Sequence, residues 1–253
     1  MDRPASVRSR PRDLLAEQRV AIGTITPSAN TVVERVTLGI LRDFPEVSAH
    51  FARTEVVGDK DPFPDSYDWD SMLGAARLLA HAHPDVLSWN GSKAGGIDFG
   101  LDRELVRRIA GLTGAKSTTS TLAIDEVLRE DGVKRFGLVS PYLEQYNRNI
   151  AATFAREGYE CVAEAHSGLA DNFSFSRVSA DAIAGMLRAV AKARPAAILT
   201  FCTNFPAAPL VAEMEDELGI PIYDTTTMAV WKSLQLAGVD TRRGRDWGRV
   251  FER

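Results

Sequence analysis

Cysteine is scarce in this chain. Its 253 residues include two, Cys161 and Cys202, far apart and outside any CxxC spacing. Neither a disulfide framework nor a cysteine zinc site fits that usage, and a reducing cytoplasm suits it best. Histidine is nearly as rare. His81 and His83 flank a helix end as HAHP, where they favour the helix dipole over metal, and His50 and His166 stand apart. No apolar run approaches transmembrane length, and the opening MDRPASVRSRPRDLLAEQR has arginines but no apolar core of a secretory signal. A net charge of -4 leaves no electrostatic footprint for nucleic acid. Walker loop, GxGxxG fingerprint and nucleophile elbow are missing, and KAGG after Ser92 lacks the phosphate-loop pattern. The expectation is a cytoplasmic protein that acts on a small molecule without cofactor, metal, nucleic acid or membrane; self-association into a homo-oligomer stays open.

What the chain does have is alternation. Hydrophobic residues at 45% and charged ones at 25% are globular averages. Strand patterns fall at residues 19–25, 47–57, 84–91, 116–119, 135–141, 160–165 and 195–202, and at PIYDT. Helical patterns fall at 31–41, 71–81, 102–110, 122–130, 142–157, 180–193 and 207–218, with one more at the end. Strand and helix in turn predict an α/β fold with parallel sheets and helices on both faces. Residues 1–18 read as a mobile arm. The long polar connection GDKDPFPDSYDWD is placed to close over a site.

The alternation also repeats. GTITP aligns with GLVSP, Pro27 with Pro141; PDVLSWNG aligns with PAAILTFC, Gly91 with Cys202; TTSTLA from Thr118 answers TTTMA from Thr225. Correspondences in one order predict two similar lobes, residues 19–133 and 134–253, each a four-stranded parallel sheet flanked by helices. The lobes are related by a pseudo-twofold with the site in the cleft between them, and helices near the chain end can pack on the first lobe. The free cysteine ends an apolar run, PAAILTFCTNFP, and ligands of such sheets sit at the carboxyl ends of strands. Taken alone, a free cysteine is more often a small core hydrophobe. Set opposite Gly91, it becomes a single acid–base group that delivers a proton from one side, while the glycine leaves room for a larger substrate group.

Small donors gather at the same strand ends: Ser28, Asn30 and Thr31, then Ser92, Thr118 and Thr119, Tyr142, Asn172, Thr203, Asn204, and Thr225 to Thr227. Hydroxyls, amides and loop N–H groups can bind a carboxylate and stabilise an enediolate. Each also has an ordinary role. Ser28, Asn30, Thr118 and Thr225 suit helix caps, Tyr142 a packing position with a wet hydroxyl, and Lys93 a solvated surface.

Across residues 19–250 the sequence resembles the aspartate/glutamate racemase superfamily, in its maleate isomerase and arylmalonate decarboxylase branch. GTITPSANTVVE is similar to the isomerase opening, whose Ser-x-Asn-Thr loop binds a substrate carboxylate; SPYLEQYNR with Tyr142, ADNFSFS with Asn172, and the closing GRDWGRVF resemble segments of the same branch. The family's first catalytic cysteine falls on Gly91, a departure shared with arylmalonate decarboxylase. The resemblance implies that Cys202 protonates a planar enediolate after CO2 leaves, in a dioxyanion pocket to which Ser92 and Tyr142 match, with Lys93 where a hydroxyl residue is expected. The expected activity is cofactor-independent decarboxylation of a malonate-type or related dicarboxylic acid. Cys202 is the expected catalytic residue, and Ser28, Asn30, Gly91, Ser92, Tyr142, Asn172, Thr203 and Asn204 are expected to bind the carboxylate substrate. A maleate-type cis-trans isomerase and a non-catalytic carboxylate-binding protein are the alternatives.

Overall fold

The structure, a computed structural model, describes residues 20–56 and 66–253; the predicted arm and the central part of the polar connection after the second strand lie outside the described residues. Two four-stranded sheets form, each entirely parallel. The first joins β1 (Val20–Pro27), β2 (Val47–Thr54), β3 (Val86–Trp89) and β4 (Lys116–Thr119) in the order β2-β1-β3-β4. The second joins β5 (Arg135–Ser140), β6 (Glu160–His166), β7 (Ala197–Thr200) and β8 (Ile222–Asp224) in the order β6-β5-β7-β8. Identical strand order in the two halves is the expected internal repeat. The sequence pattern follows from burial: β3 (VLSW) and β7 (AILT) are buried along their whole length and are mostly apolar, with Ser88 and Thr200 as their polar members, while the edge strands β2 and β6 are partly exposed and mix polar with apolar residues.

The helices of the first half are α1 (Val33–Ile40), α2 (Trp69–Ala80), α3 (Phe99–Thr113) and α4 (Ser120–Glu130). Those of the second are α5 (Glu144–Arg156), α6 (Asn172–Phe175), α7 (Ala180–Ala191), α8 (Val211–Leu218) and α9 (Thr225–Leu236). Their starts are chemically marked. Asp68, Asp98, Thr119, Asp171, Ser179 and Asp224 each accept a backbone N–H of the first turn. Helix α9 differs from the rest in being buried from Thr225 through Leu234, as expected of a helix enclosed on all sides. It packs on α1, α4, β3 and β4 of the first half as well as on β8. Its one charged residue, Lys232, ion-pairs across the two halves with Glu126 at 2.5 Å and also donates to Gln235 at 2.6 Å.

Three expectations need correction. The apolar run that ends in Cys202 is a strand only to Thr200, because Phe201 N–H makes the last bond to β5, at Val139 O, and the chain then turns, with Phe205 N–H on Cys202 O. The helix expected over residues 207–218 splits into a 3-10 turn, Ala208–Leu210, and α8; Pro209 has no N–H for a continuous ladder. Strand register also shifts the third repeat by two positions. Thr118 pairs with Ser88 as Tyr223 pairs with Leu199, so Ser120, not Thr118, is the counterpart of Thr225.

Candidate active site

Strand register places Gly91 and Cys202 at equivalent positions. Ile25 pairs with Trp89 and Val139 with Thr200; one residue on, Asn90 N–H donates to Ile25 O at 2.9 Å and Phe201 N–H to Val139 O at 2.8 Å. The next residues are Gly91 and Cys202. Both follow the carboxyl end of a central strand, where a parallel α/β sheet opens to ligands.

Hydrogen bonds then stitch these ends together across the seam. Asn30 Nδ2 donates to Thr203 Oγ1 at 3.2 Å, Thr31 N–H to Asn204 Oδ1 at 2.8 Å, and Asn90 Nδ2 to Thr226 O at 3.2 Å; the Ser92 and Tyr142 hydroxyls lie 3.2 Å apart. Asn30 also fills the capping role, its Oδ1 accepting Val32 and Val33 N–H at 2.9 Å each. Asn204 completes its side chain by donating to Asn172 O, which ties α6 to the cluster. Ser28 is exposed and exchanges bonds with the Val56 backbone, apart from this cluster. Lys93 is partly buried, in the 3-10 turn Lys93–Gly96.

Cys202 is 3% exposed, and its N–H donates to Thr225 Oγ1 at 3.2 Å. Burial pushes its thiol up to about 12; the Tyr142 hydroxyl and the backbone N–H groups of Asn204 and Phe205 pull the other way, and the nearby Asp224 carboxylate adds to the rise. At neutral pH the group is therefore S–H, a proton donor and not a thiolate. Burial likewise raises Tyr142 well above its ordinary range, helped by the charge a Cys202 thiolate would carry, so its phenol keeps its proton. Ser92, Tyr142 and Cys202 thus form a line of protonated groups facing a small set of backbone donors. Such a set can stabilise negative charge on an enediolate and deliver a proton to it.

Several contributors were not foreseen from the sequence. Tyr146 stacks on Tyr142 with ring centroids 4.2 Å apart, and Phe175 of α6 meets Tyr142 edge-on at 5.2 Å. Asp224 caps α9 through Thr226 and Thr227 N–H, both at 3.0 Å, and takes Thr200 Oγ1 at 2.9 Å, which fixes the turn that carries the thiol. Most consequential is Trp89. A β-carbon at Gly91 would fall inside the contact radius of its Cζ2 and Cε2 and 2.7 Å from its Cη2. The room expected beside this glycine is therefore filled by an indole. Because β3 ends at Trp89, strand periodicity does not extend to position 91, and the sequence carried no signal that the indole lies there.

Among the described residues no group of three or more His, Cys, Asp or Glu side chains converges as metal ligands, and no helix is long and apolar enough to cross a membrane.

A family model described as arylmalonate decarboxylase matches residues 59–251. The chain is 25% identical over 238 residues to the arylmalonate decarboxylase of Bordetella bronchiseptica, covering 91% of this chain and 96% of that one. It is 24% identical over 233 residues to the maleate isomerase of Geobacillus stearothermophilus, covering 87% and 92%. Among solved structures, the Nocardia farcinica maleate cis-trans isomerase, as a cysteine-to-serine variant with a covalently bound succinylcysteine intermediate, superposes with a TM-score of 0.80. That match is 21% identical and covers 92% of this chain and 98% of the other.

Proposed function

The chain belongs to the arylmalonate decarboxylase family, and from that premise we propose that it is a cofactor-independent decarboxylase of a malonate-type or related small dicarboxylic acid. One observation carries the reading: a single buried thiol, held as S–H, stands where the equivalent position of the other lobe has no side chain. One carboxylate of the substrate would be bound by Ser92, Tyr142, the Thr203 hydroxyl and neighbouring N–H groups. The bond from the central carbon to the other carboxylate breaks, CO2 leaves, and the electron pair passes into an enediolate whose oxygens those donors hold. Cys202 then gives its proton to the carbon, and the thiolate regains one from water. A thiol pushed up by burial suits this step, since its proton is retained until a carbanion is there to take it.

The test is CO2 release from a panel of malonates by the purified protein, with Cys202→Ala as control. Turnover that survives the substitution removes Cys202 from the mechanism, and no release from any malonate removes the reaction.

Maleate-type isomerisation is the second reading. It is favoured by the Asn30 and Thr31 loop, which is bonded to Thr203 and Asn204 beside the thiol, and by relatives named as maleate isomerases. Conversion of maleate to fumarate, followed by NMR, separates the two.

A further inference from the structure

The proposed one-sided protonation rests on an empty position 91, and a glycine alone does not explain why that position stays empty. In the second lobe the residue two before the thiol is the small Thr200, whose Oγ1 donates to Asp224 at 2.9 Å. In the first lobe the residue two before position 91 is Trp89, and its indole lies where any β-carbon of residue 91 would go.

That indole is firmly held. Trp89 is 1% exposed, and its Nε1 donates to Tyr67 Oη at 3.1 Å. Tyr67 donates in turn to Asp102, which is fully buried and also accepts from Thr119 Oγ1 at 2.6 Å. Tyr67 Oη also receives the backbone N–H of Ala94, from the loop that follows Gly91. Swinging the indole away would break the Trp89 bond to Tyr67 and leave the buried indole N–H without that partner. The ring is further packed edge-on against Tyr67, with centroids 6.1 Å apart.

We infer that Trp89, locked by the Tyr67–Asp102–Thr119 network, is the specificity-determining residue that confines this site to one acid–base group. It excludes any side chain, and a second thiol above all, from the face opposite Cys202. Trp89 acts through position 91 and is a positioning residue. A thiol at position 91 could protonate the opposite face of the enediolate, or as thiolate remove the α-proton while Cys202 returns one to the other side. Either route would scramble the product's handedness.

Two measurements test this. The first is a thermal-stability cycle of Gly91→Ala, Trp89→Val and the double variant. Adding the β-carbon should lower the melting temperature by about 5 °C beside the native indole and by nearly nothing in the Trp89→Val background, as expected for relief of overpacking. An equal cost in both backgrounds overturns the inference. So does a Gly91→Ala protein that melts like the parent. The second is the enantiomeric excess of the acid formed from a prochiral 2-aryl-2-methylmalonate. Gly91→Cys alone should leave the excess as in the parent, and Gly91→Cys with Trp89→Val should lower it and incorporate deuterium from D2O into resupplied product. Loss of excess in Gly91→Cys alone overturns the inference. If the parent releases no CO2 the decarboxylase reading fails, and the stability cycle, which needs no substrate, still decides whether Trp89 excludes a side chain.

Discussion

The ends of β3 and β7 are the same construction finished in two ways. Both strands sit beside the first strand of their sheet, both make one further bond to it after pairing ends, and both turn within two residues. After β3 a large last strand residue, Trp89, is followed two positions on by Gly91, and after β7 a small one, Thr200, is followed two positions on by the thiol of Cys202. The helix starts opposite them diverge in parallel. Ser120 donates to Asn90 Oδ1 at 3.2 Å, whereas Thr225 accepts the N–H of Cys202 itself. Each lobe buries one carboxyl group beneath this end, Asp102 in the first and Asp224 in the second, and burial raises both to about 6. Asp102 supports an indole, and Asp224 supports the turn that bears the thiol. A duplicated scaffold can thus hold chemistry on one side and a wall on the other without any change of topology.

The asymmetry can be broken most severely at the thiol. Cys202→Ala should lower kcat for decarboxylation by about 10³-fold, the scale of a lost general acid, with the melting temperature nearly unchanged because alanine fits the space. CO2 release beside a melting curve checks both. Tyr142→Phe should cost about 10-fold in kcat, since it removes the hydroxyl between Ser92 and the thiol but keeps the ring stacked on Tyr146. The same steady-state assay reads it. With the thiol raised by burial, alkylation of Cys202 by iodoacetamide should stay slow at pH 8, where an ordinary cysteine is partly ionised; peptide mapping after timed quenching measures it, and rapid labelling would contradict a protonated donor.

The two buried carboxyls give a subtler comparison. Each has a folded pKa near 6, above its value in the unfolded chain, so the native state holds the extra proton between about pH 4 and 6. That contribution is fully present below about pH 4 and is lost as pH rises through 6. Asp102→Asn cannot titrate, so its melting temperature relative to the parent should climb across the window; a constant difference would show that Asp102 does not titrate there. Smallest of all, Thr225→Ala and Ser120→Ala should each cost about 1 kcal/mol by leaving a buried partner unpaired, and urea titration resolves the pair. A drop in kcat is expected only for Thr225→Ala, because only Thr225 touches the residue that carries the thiol.

Much of this was open to a reader of the sequence. Apolar runs of strand length, alternating with helical patterns, reflect burial on both faces of parallel sheets, and that is a local, periodic signal. The duplication was visible through Pro27 with Pro141 and Gly91 with Cys202, because turn residues and strand ends are marked by composition. The short helix α6 and the split before α8 were not, since four residues give too little period and a proline's effect depends on the turn it enters. The pairing of Thr118 with Thr225 failed because similar threonine runs can align in more than one register, and only hydrogen-bonded strands choose among them.

By itself, then, the sequence determined the elements, their repetition and the identity of the lone thiol, all of which depend on residues near one another in the chain. Tertiary structure decided what those residues face. It set Asn30 against Thr203, Tyr142 against Ser92 and Trp89 across position 91, and it buried Cys202 deeply enough to keep its proton. Those outcomes come from desolvation and van der Waals exclusion between segments far apart in sequence or folded back at a strand end, and neither is written in composition or period.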